Sequence, residues 1–203
     1  MSTTPSIAYR YRDALYLNIT NVCPCACTFC LRDNFGAIGD AETLWLDREP
    51  TTDEVIKSIQ SYEPLDDYSE VVFCGFGEPF SSYDVLIDTA KWLKQQGVKH
   101  VRINTNGLAD LIVGRPVAPE LAGLIDELSI SLNAPDAQVY MDLCVPEFGE
   151  ESFDAVLNFA REAKDYVPRI NFSIVDFLEP SEIQRCKDIA EDLGIPLRVR
   201  LFS

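Results

Sequence analysis

Ala14-Leu15-Tyr16-Leu17-Asn18-Ile19-Thr20-Asn21-Val22 runs directly into Cys23-Pro24-Cys25-Ala26-Cys27-Thr28-Phe29-Cys30. The first half is a mostly apolar, strand-length run over Ala14 to Val22, and the second packs four cysteines into eight residues. Working outward, the spacing predicts a short strand at Ile7 to Tyr11, turned by Arg12-Asp13. Downstream, 34–40 (Asn-Phe-Gly-Ala-Ile-Gly-Asp) reads as loop, and Pro50-Thr51-Thr52-Asp53-Glu54 as a capped helix start leading into Val55, Ile56 and Ile59. The strand-then-helix unit recurs: strand Glu70 to Cys74 and helix Tyr83 to Gln96; strand His100 to Thr105 and helix Pro119 to Ile125; strand Glu127 to Asn133 and helix Ser152 to Lys164. A strand over Ile170 to Phe177, a helix over Pro180 to Leu193 and a strand over Leu197 to Phe202 complete the order.

Several of these strands are apolar on both faces, as in a parallel sheet covered by helices or closed around an interior. Six parallel strands fit either an open doubly wound sheet or an incomplete barrel, and periodicity does not choose between them. With 203 residues, nearly half of them apolar, the chain has material for one core without disulfides, so residues 1–203 are expected to form one domain. No apolar run approaches the ~20 residues that span a bilayer, and the start lacks a signal-peptide pattern, so a cytosolic protein is expected. A formal charge of −16 disfavours contact with nucleic-acid backbones and anionic lipid.

Seven cysteines, four of them crowded together, point to ligation in a reducing compartment. Cys23, Cys27 and Cys30 form C-x3-C-x2-C at the carboxyl end of the first parallel strand, where ligand sites of such folds collect. Thiolates suit iron-sulfur clusters, and three ligands on a four-iron cluster leave one iron open to a substrate. A structural zinc or an ordinary electron-transfer cluster is the plainer reading, but a closed site needs a fourth ligand. The single histidine, His100, begins the third strand of the parallel set, roughly 20 Å from the cysteine end at ~3.3 Å per residue. Cys25 is read as a non-ligand, although it is able to replace a neighbour or complete a four-cysteine site. Cys74, Cys144 and Cys186 read as buried thiols, with Cys144 in a loop on the ligand-bearing face.

One round later stands Cys74-Gly75-Phe76-Gly77-Glu78-Pro79, where glycines permit close backbone approach and main-chain groups with a carboxylate suit an ammonium. The next strands end in Asn104-Thr105-Asn106-Gly107 and in Ser129-Ile130-Ser131-Leu132-Asn133, whose alternation puts Ser129, Ser131 and Asn133 on one face. Each of these polar residues alone fits a turn or cap equally well. Arg198 and Arg200 share a face of the final strand and suit a carboxylate if that face points inward.

The cysteine spacing, with Phe29 before the last cysteine, is similar to the signature of the radical SAM superfamily, and Gly75 to Pro79 resembles its GGEP motif with Phe76 in place of the first glycine. Leu44-Trp45-Leu46-Asp47-Arg48-Glu49-Pro50-Thr51 and Cys27-Thr28-Phe29-Cys30-Leu31-Arg32 resemble the small TatD-linked radical SAM proteins, a likeness that extends along the chain through Cys144 and the Phe153 to Lys164 helix. The resemblance implies an α/β fold, an incomplete (β/α)6 TIM-like barrel with parallel strands. It implies a [4Fe-4S] cluster on Cys23, Cys27 and Cys30, whose open iron chelates S-adenosylmethionine. The cofactor would be bound by Phe29, Gly75, Phe76, Gly77, Glu78, Asn104, Asn106, Ser131 and Asn133, with adenine contacts unassigned. Reductive cleavage would then give methionine and a 5′-deoxyadenosyl radical that abstracts hydrogen from a substrate the sequence does not identify. An electron donor such as flavodoxin or ferredoxin, and a functional link to a TatD-type metal-dependent hydrolase, come with the same resemblance. Rival readings are a glycyl-radical-enzyme activase, a deazapurine-forming radical SAM enzyme and a non-catalytic iron-sulfur or zinc protein.

Overall fold

A computed structural model of the chain describes residues 4–33 and 38–201. Its elements are β1 (Ala8–Tyr11), β2 (Ala14–Leu17), α1 (Thr52–Gln60), β3 (Val71–Phe73), α2 (Tyr83–Gln95), β4 (Val101–Thr105) and α3 (Ala109–Val113). They continue with β5 (Glu127–Ser131), α4 (Ala137–Cys144), α5 (Glu151–Ala163), β6 (Arg169–Val175), α6 (Pro180–Leu193) and β7 (Leu197–Arg200). One seven-stranded sheet runs in the order β1-β2-β3-β4-β5-β6-β7. Strands β2 to β7 are mutually parallel and β1 lies antiparallel on β2, so the expected six-stranded parallel set is present with one added edge strand. Because β7 does not pair back onto the opposite edge, the barrel stays open on one side.

Alternation within the strands separates two environments. Leu15, Leu17, Val71, Phe73, Val101, Ile103, Leu128 and Ile130 are fully or almost fully buried against the helices, meeting Val55, Ile59, Leu86, Ala90, Val156 and Phe159 in one continuous core. The opposite face lines the lumen and is polar, with Arg102, Asn104, Glu127, Ser129 and Ser131 only half-buried. Local rules place the helices where the sequence encodes them plainly. At α1, Thr51 accepts from the Glu54 N–H while the Glu54 carboxylate accepts from the Thr51 N–H, a reciprocal cap that starts the helix.

Three expectations are corrected. The helix placed over Pro119 to Ile125 is a single 3-10 turn at Ala118–Leu121, and the α-helix of that round is the earlier α3. Gly114 and Gly123, with φ of 78° and 72°, close both segments in the left-handed region that favours glycine, leaving no room for a longer helix between them. The loop expected to carry Cys144 is instead helix α4, which ends on that residue; Asp136 caps it by accepting from the Val139 N–H at 2.9 Å. The strand expected over Ala14 to Val22 pairs regularly only to Leu17, and Phe202 and most of the 34–40 loop lie outside the described residues. Among the described residues no helix is long and apolar enough to cross a membrane.

Candidate active site

Beyond β2 the chain keeps an extended course by bonding to the turn that follows β3. Cys74 N–H donates to the Leu17 carbonyl (2.9 Å), Gly77 N–H to Thr20 (3.0 Å) and Glu78 N–H to Val22 (2.8 Å). Asn18 locks the same junction: its Oδ1 accepts from Phe76 N–H, and its Nδ2 donates to the Leu44 carbonyl at 2.8 Å. A Cβ on Gly77 would stand 2.4 Å from the Thr20 carbonyl oxygen, and one on Gly75 1.9 Å from Asn18 Oδ1. These glycines therefore admit the chain's own cysteine-bearing segment. Since the amides of Phe76, Gly77 and Glu78 already donate within the protein, the turn offers its carbonyls to an ammonium ligand.

From the other side the cysteine segment is held by the end of α4. Ala26 N–H donates to the Val145 carbonyl, Thr28 N–H to Leu143 (2.9 Å) and Glu147 N–H to Pro24 (2.7 Å), and Cys25 pairs with Pro146 in an isolated antiparallel bridge. The residues that grip this segment were not foreseen; Asp136 as a cap, with Tyr140 and Cys144 four apart on one helix face, was the signal for them. Cys23, Cys27 and Cys30 are half-buried, whereas Cys25 and Cys144 are buried. Thiol contacts link Cys23 to Cys25, Cys25 to Cys27 and Cys27 to Cys144. Hydrogen bonds from Cys144 and Cys25 pull the Cys27 thiol down, and the bond from Cys25 does the same for Cys23, while Cys25 and Cys144 are pushed up. Donating thiols thus flank accepting ones, and it is the deprotonated form that binds metal.

Among the described residues no three Cys, His, Asp or Glu side chains are gathered in metal-binding geometry. The donor chemistry nevertheless fits a thiophilic cluster, because the thiols of Cys23, Cys25, Cys27 and Cys144 form a chain of contacts and the three cysteines with C-x3-C-x2-C spacing are more open than Cys25 and Cys144. Asn106 Nδ2 points at this group, 4.0 Å from Cys23 Sγ and 3.8 Å from Cys25 Sγ. Asn133, in the left-handed region at φ 57°, donates to Cys144 Sγ at 3.7 Å, and its buried Oδ1 has no partner among the described residues. That orphaned acceptor marks where a donor from a ligand would be received.

The remaining positions divide. Glu78 is buried at 3% exposure, and its oxygens accept from Thr105 Oγ1 (2.8 Å), Asn106 N–H (2.6 Å) and Phe80 N–H (3.3 Å). It joins the ends of β3 and β4 and has little left for a ligand beyond a remaining lone pair. The Phe76 ring is not brought to the site; it packs with Tyr9 and Leu44 and meets Trp45 edge-on at 5.0 Å. Asn104 faces the lumen and accepts from Arg102 Nη1 (2.7 Å), Ser131 ends β5, and Phe29 lies against Phe177 with centroids 4.9 Å apart. His100 sits at the far strand ends between Glu70 and Glu127, away from the cysteines.

Burial pushes the Glu78 carboxyl up to about 8, against the opposing pull of its N–H and O–H donors. With its folded value raised, the folded chain holds a proton that the unfolded chain releases near pH ~4.3. Stability is therefore expected to fall as pH rises from there to about 8 and to level off beyond. In urea unfolding of metal-free protein, Glu78→Gln should lack that decline; an identical slope in both proteins would refute the reading.

The family model of the Radical SAM superfamily matches residues 17–193. Among curated proteins, the probable dual-specificity RNA methyltransferase RlmN of Thermotoga sp. (strain RQ2) is 29% identical over 209 aligned residues, covering 89% of this chain and 57% of that protein. The probable GTP 3′,8-cyclase of Saccharolobus islandicus (strain Y.N.15.51 / Yellowstone #2) is 29% identical over 186 residues, covering 90% and 54% respectively. The chain thus spans little more than half the length of these relatives. Among solved structures, a radical SAM methyltransferase from Sphaerobacter thermophilus superposes with a TM-score of 0.62 at 16% identity, covering 96% of this chain and 68% of that one. Native anSMEcpe with bound AdoMet superposes with a TM-score of 0.63 at 16% identity, covering 93% and 50%. At such identities the likeness is one of fold. With most of its length matched by the family model, the chain belongs to the radical SAM superfamily, and the cofactors that membership implies are a [4Fe-4S] cluster and S-adenosylmethionine.

Proposed function

We propose that residues 1–203 act as one radical SAM core domain that cleaves S-adenosylmethionine reductively and passes the resulting radical to a substrate. The observation that carries this reading is the C-x3-C-x2-C segment held at the end of β2 against the Gly75 to Glu78 turn. In this reading Cys23, Cys27 and Cys30 ligate the cluster and Cys25 stays a protonated neighbour. The chemistry supplied by the bound cofactors is one-electron reduction of the sulfonium, giving methionine and a 5′-deoxyadenosyl radical that takes hydrogen from the substrate.

What the protein's own groups do is bind and orient. Carbonyls of Gly75, Phe76 and Gly77 receive the methionine ammonium, and Glu78 keeps that turn fixed to β4. Asn106, Asn133, Asn104 and Ser131 offer amide and hydroxyl groups around the mouth of the lumen, and Phe29 closes its edge beside Phe177. The residues that clamp the cysteine segment from α4 hold it in one geometry and limit water.

Within the superfamily we place the chain with the small TatD-linked proteins, on the strength of Leu44 to Thr51 and Cys27 to Arg32. A low-potential donor such as flavodoxin or ferredoxin, a functional link to a TatD-type hydrolase and a cytosolic location belong to the same reading. RNA methylation, the activity in the name of the Thermotoga relative, is disfavoured by the −16 charge of this chain. The test is anaerobic: protein reconstituted with iron and sulfide, then given dithionite and S-adenosylmethionine, is expected to release 5′-deoxyadenosine. A reconstituted protein whose cluster is intact and which releases none refutes the proposal.

A further inference from the structure

The charges lining the lower lumen pair off and leave two guanidiniums over. Arg102 holds Glu70 through two bonds, Nε to Oε2 at 2.8 Å and Nη2 to Oε1 at 2.7 Å, and donates its third arm to Asn104. Glu127 is ion-paired with Arg169, Nε to Oε2 at 3.2 Å, and accepts from Asn171 Nδ2 at 3.0 Å, with His100 Nε2 3.2 Å away. Arg198 and Arg200 remain, and among the described residues neither has a carboxylate partner.

Both project from one face of β7, since residues two apart on a strand share a side. Arg198 stands level with Ser173 of β6 and lines a cavity of about 490 Å³ together with Glu70, Arg102, Ser129 and Asn171, so this shared face is the lumen face. Arg200 lies one step nearer the cysteine-bearing rim, level with Val175, and feels the Cys74 thiol at the end of β3 across the lumen. Its Nε is shut off from solvent and has no acceptor among the described residues, the kind of orphaned donor that native proteins seldom leave without a ligand or water. Arg198 is exposed and Arg200 half-buried, and without a carboxylate partner among the described residues these two adjacent cations make a local positive spot in a chain of net charge −16.

We infer that Arg198 and Arg200 form an oxyanion site on the inner face of β7 that takes a carboxylate or phosphate group of the substrate, so that the substrate is an anionic small molecule or an anionic moiety of a larger one. Guanidiniums suit both groups because their forked donors match two oxygens at once. The inference rests on the radical SAM reading for the word substrate, since the reacting centre would lie at the cysteine-bearing rim of the lumen and Arg198 lines its far part beside His100. Arg198 lines the lower cavity, below the cysteine end, which favours a substrate anion over the carboxylate of S-adenosylmethionine.

Isothermal titration of the reconstituted protein with inorganic phosphate and with succinate, at ionic strength held constant with chloride, tests it. Wild type is expected to bind at least one of these probes saturably. Arg198→Gln and Arg200→Gln should each weaken that binding about ten- to a hundredfold, the effect of losing a charge-assisted contact, while affinity for S-adenosylmethionine changes less than about threefold. Arg200→Lys, which keeps the charge, should retain part of the affinity and guards against a folding defect. Absence of saturable binding by wild type overturns the site. So does a tenfold loss of S-adenosylmethionine affinity in the glutamine variants with probe binding intact, because the arginines would then hold the cofactor. Probe binding by a protein that makes no 5′-deoxyadenosine would instead overturn the radical reading and leave the oxyanion site standing.

Discussion

Replacing Cys27 with alanine is expected to abolish cluster assembly, taking bound iron from about four per chain to below one and eliminating 5′-deoxyadenosine formation. Cys27 is the middle ligand of the proposed set and the thiol on which Cys144 and Cys25 converge as donors, so its removal leaves Cys23 and Cys30 too few to hold four irons. Cys25→Ala is the matched comparison and is expected to keep the iron. Cys25 is buried at 4% exposure, bridges to Pro146 through its backbone and donates to its neighbours, a role that packing can partly absorb. Iron and sulfide analysis of the two variants, reconstituted side by side, decides the matter. Loss of iron from Cys25→Ala with retention in Cys27→Ala would overturn the ligand assignment.

Gly77→Ala is expected to damage both stability and cluster loading. The added methyl would meet the Thr20 and Val22 carbonyl oxygens at 2.4 and 2.7 Å, and both are backbone atoms that cannot swing aside. Overpacking of this kind costs about 1–3 kcal/mol, to be read as a lower urea midpoint. Relief requires the strand leading to Cys23 to draw away from the β3 turn, breaking the bonds from Gly77 and Glu78 that hold the cysteine segment in place. Iron content should fall with the midpoint. A variant with wild-type midpoint and iron would show that the two segments are not locked together as described.

How much of this was legible in the sequence depended on the range of the forces involved. The α1 cap of Thr51 and Glu54 is local and was read directly. The parallel strands were read from short apolar runs, of which β3 is buried along its whole length, whereas β4 and β5 alternate between a buried helix-facing side and a polar lumen side. Cysteine spacing and the following glycine turn announced the site for the same reason: the motif is short and contiguous. Tertiary facts were hidden. That Gly75 and Gly77 exist to admit Asn18, Thr20 and Val22, that Glu78 faces inward to Thr105 and Asn106, and that the Phe76 ring is packed under Trp45 all depend on segments meeting across the fold. Alternation put Arg198 and Arg200 on one face but could not tell inside from outside, because an edge strand of an open barrel has two polar choices. Helix α4 was missed although Asp136 is a standard cap, its eight residues being too short for a strong periodic signal.

The central claim is that three thiolates leave one iron for the cofactor. It is tested most directly by Mössbauer and electron paramagnetic resonance spectroscopy of anaerobic, 57Fe-reconstituted protein before and after addition of S-adenosylmethionine. A [4Fe-4S] signal in which the cofactor sets one iron apart from the other three is the predicted result. A mononuclear centre with four sulfur ligands, or a cluster whose spectrum the cofactor leaves untouched, would contradict it.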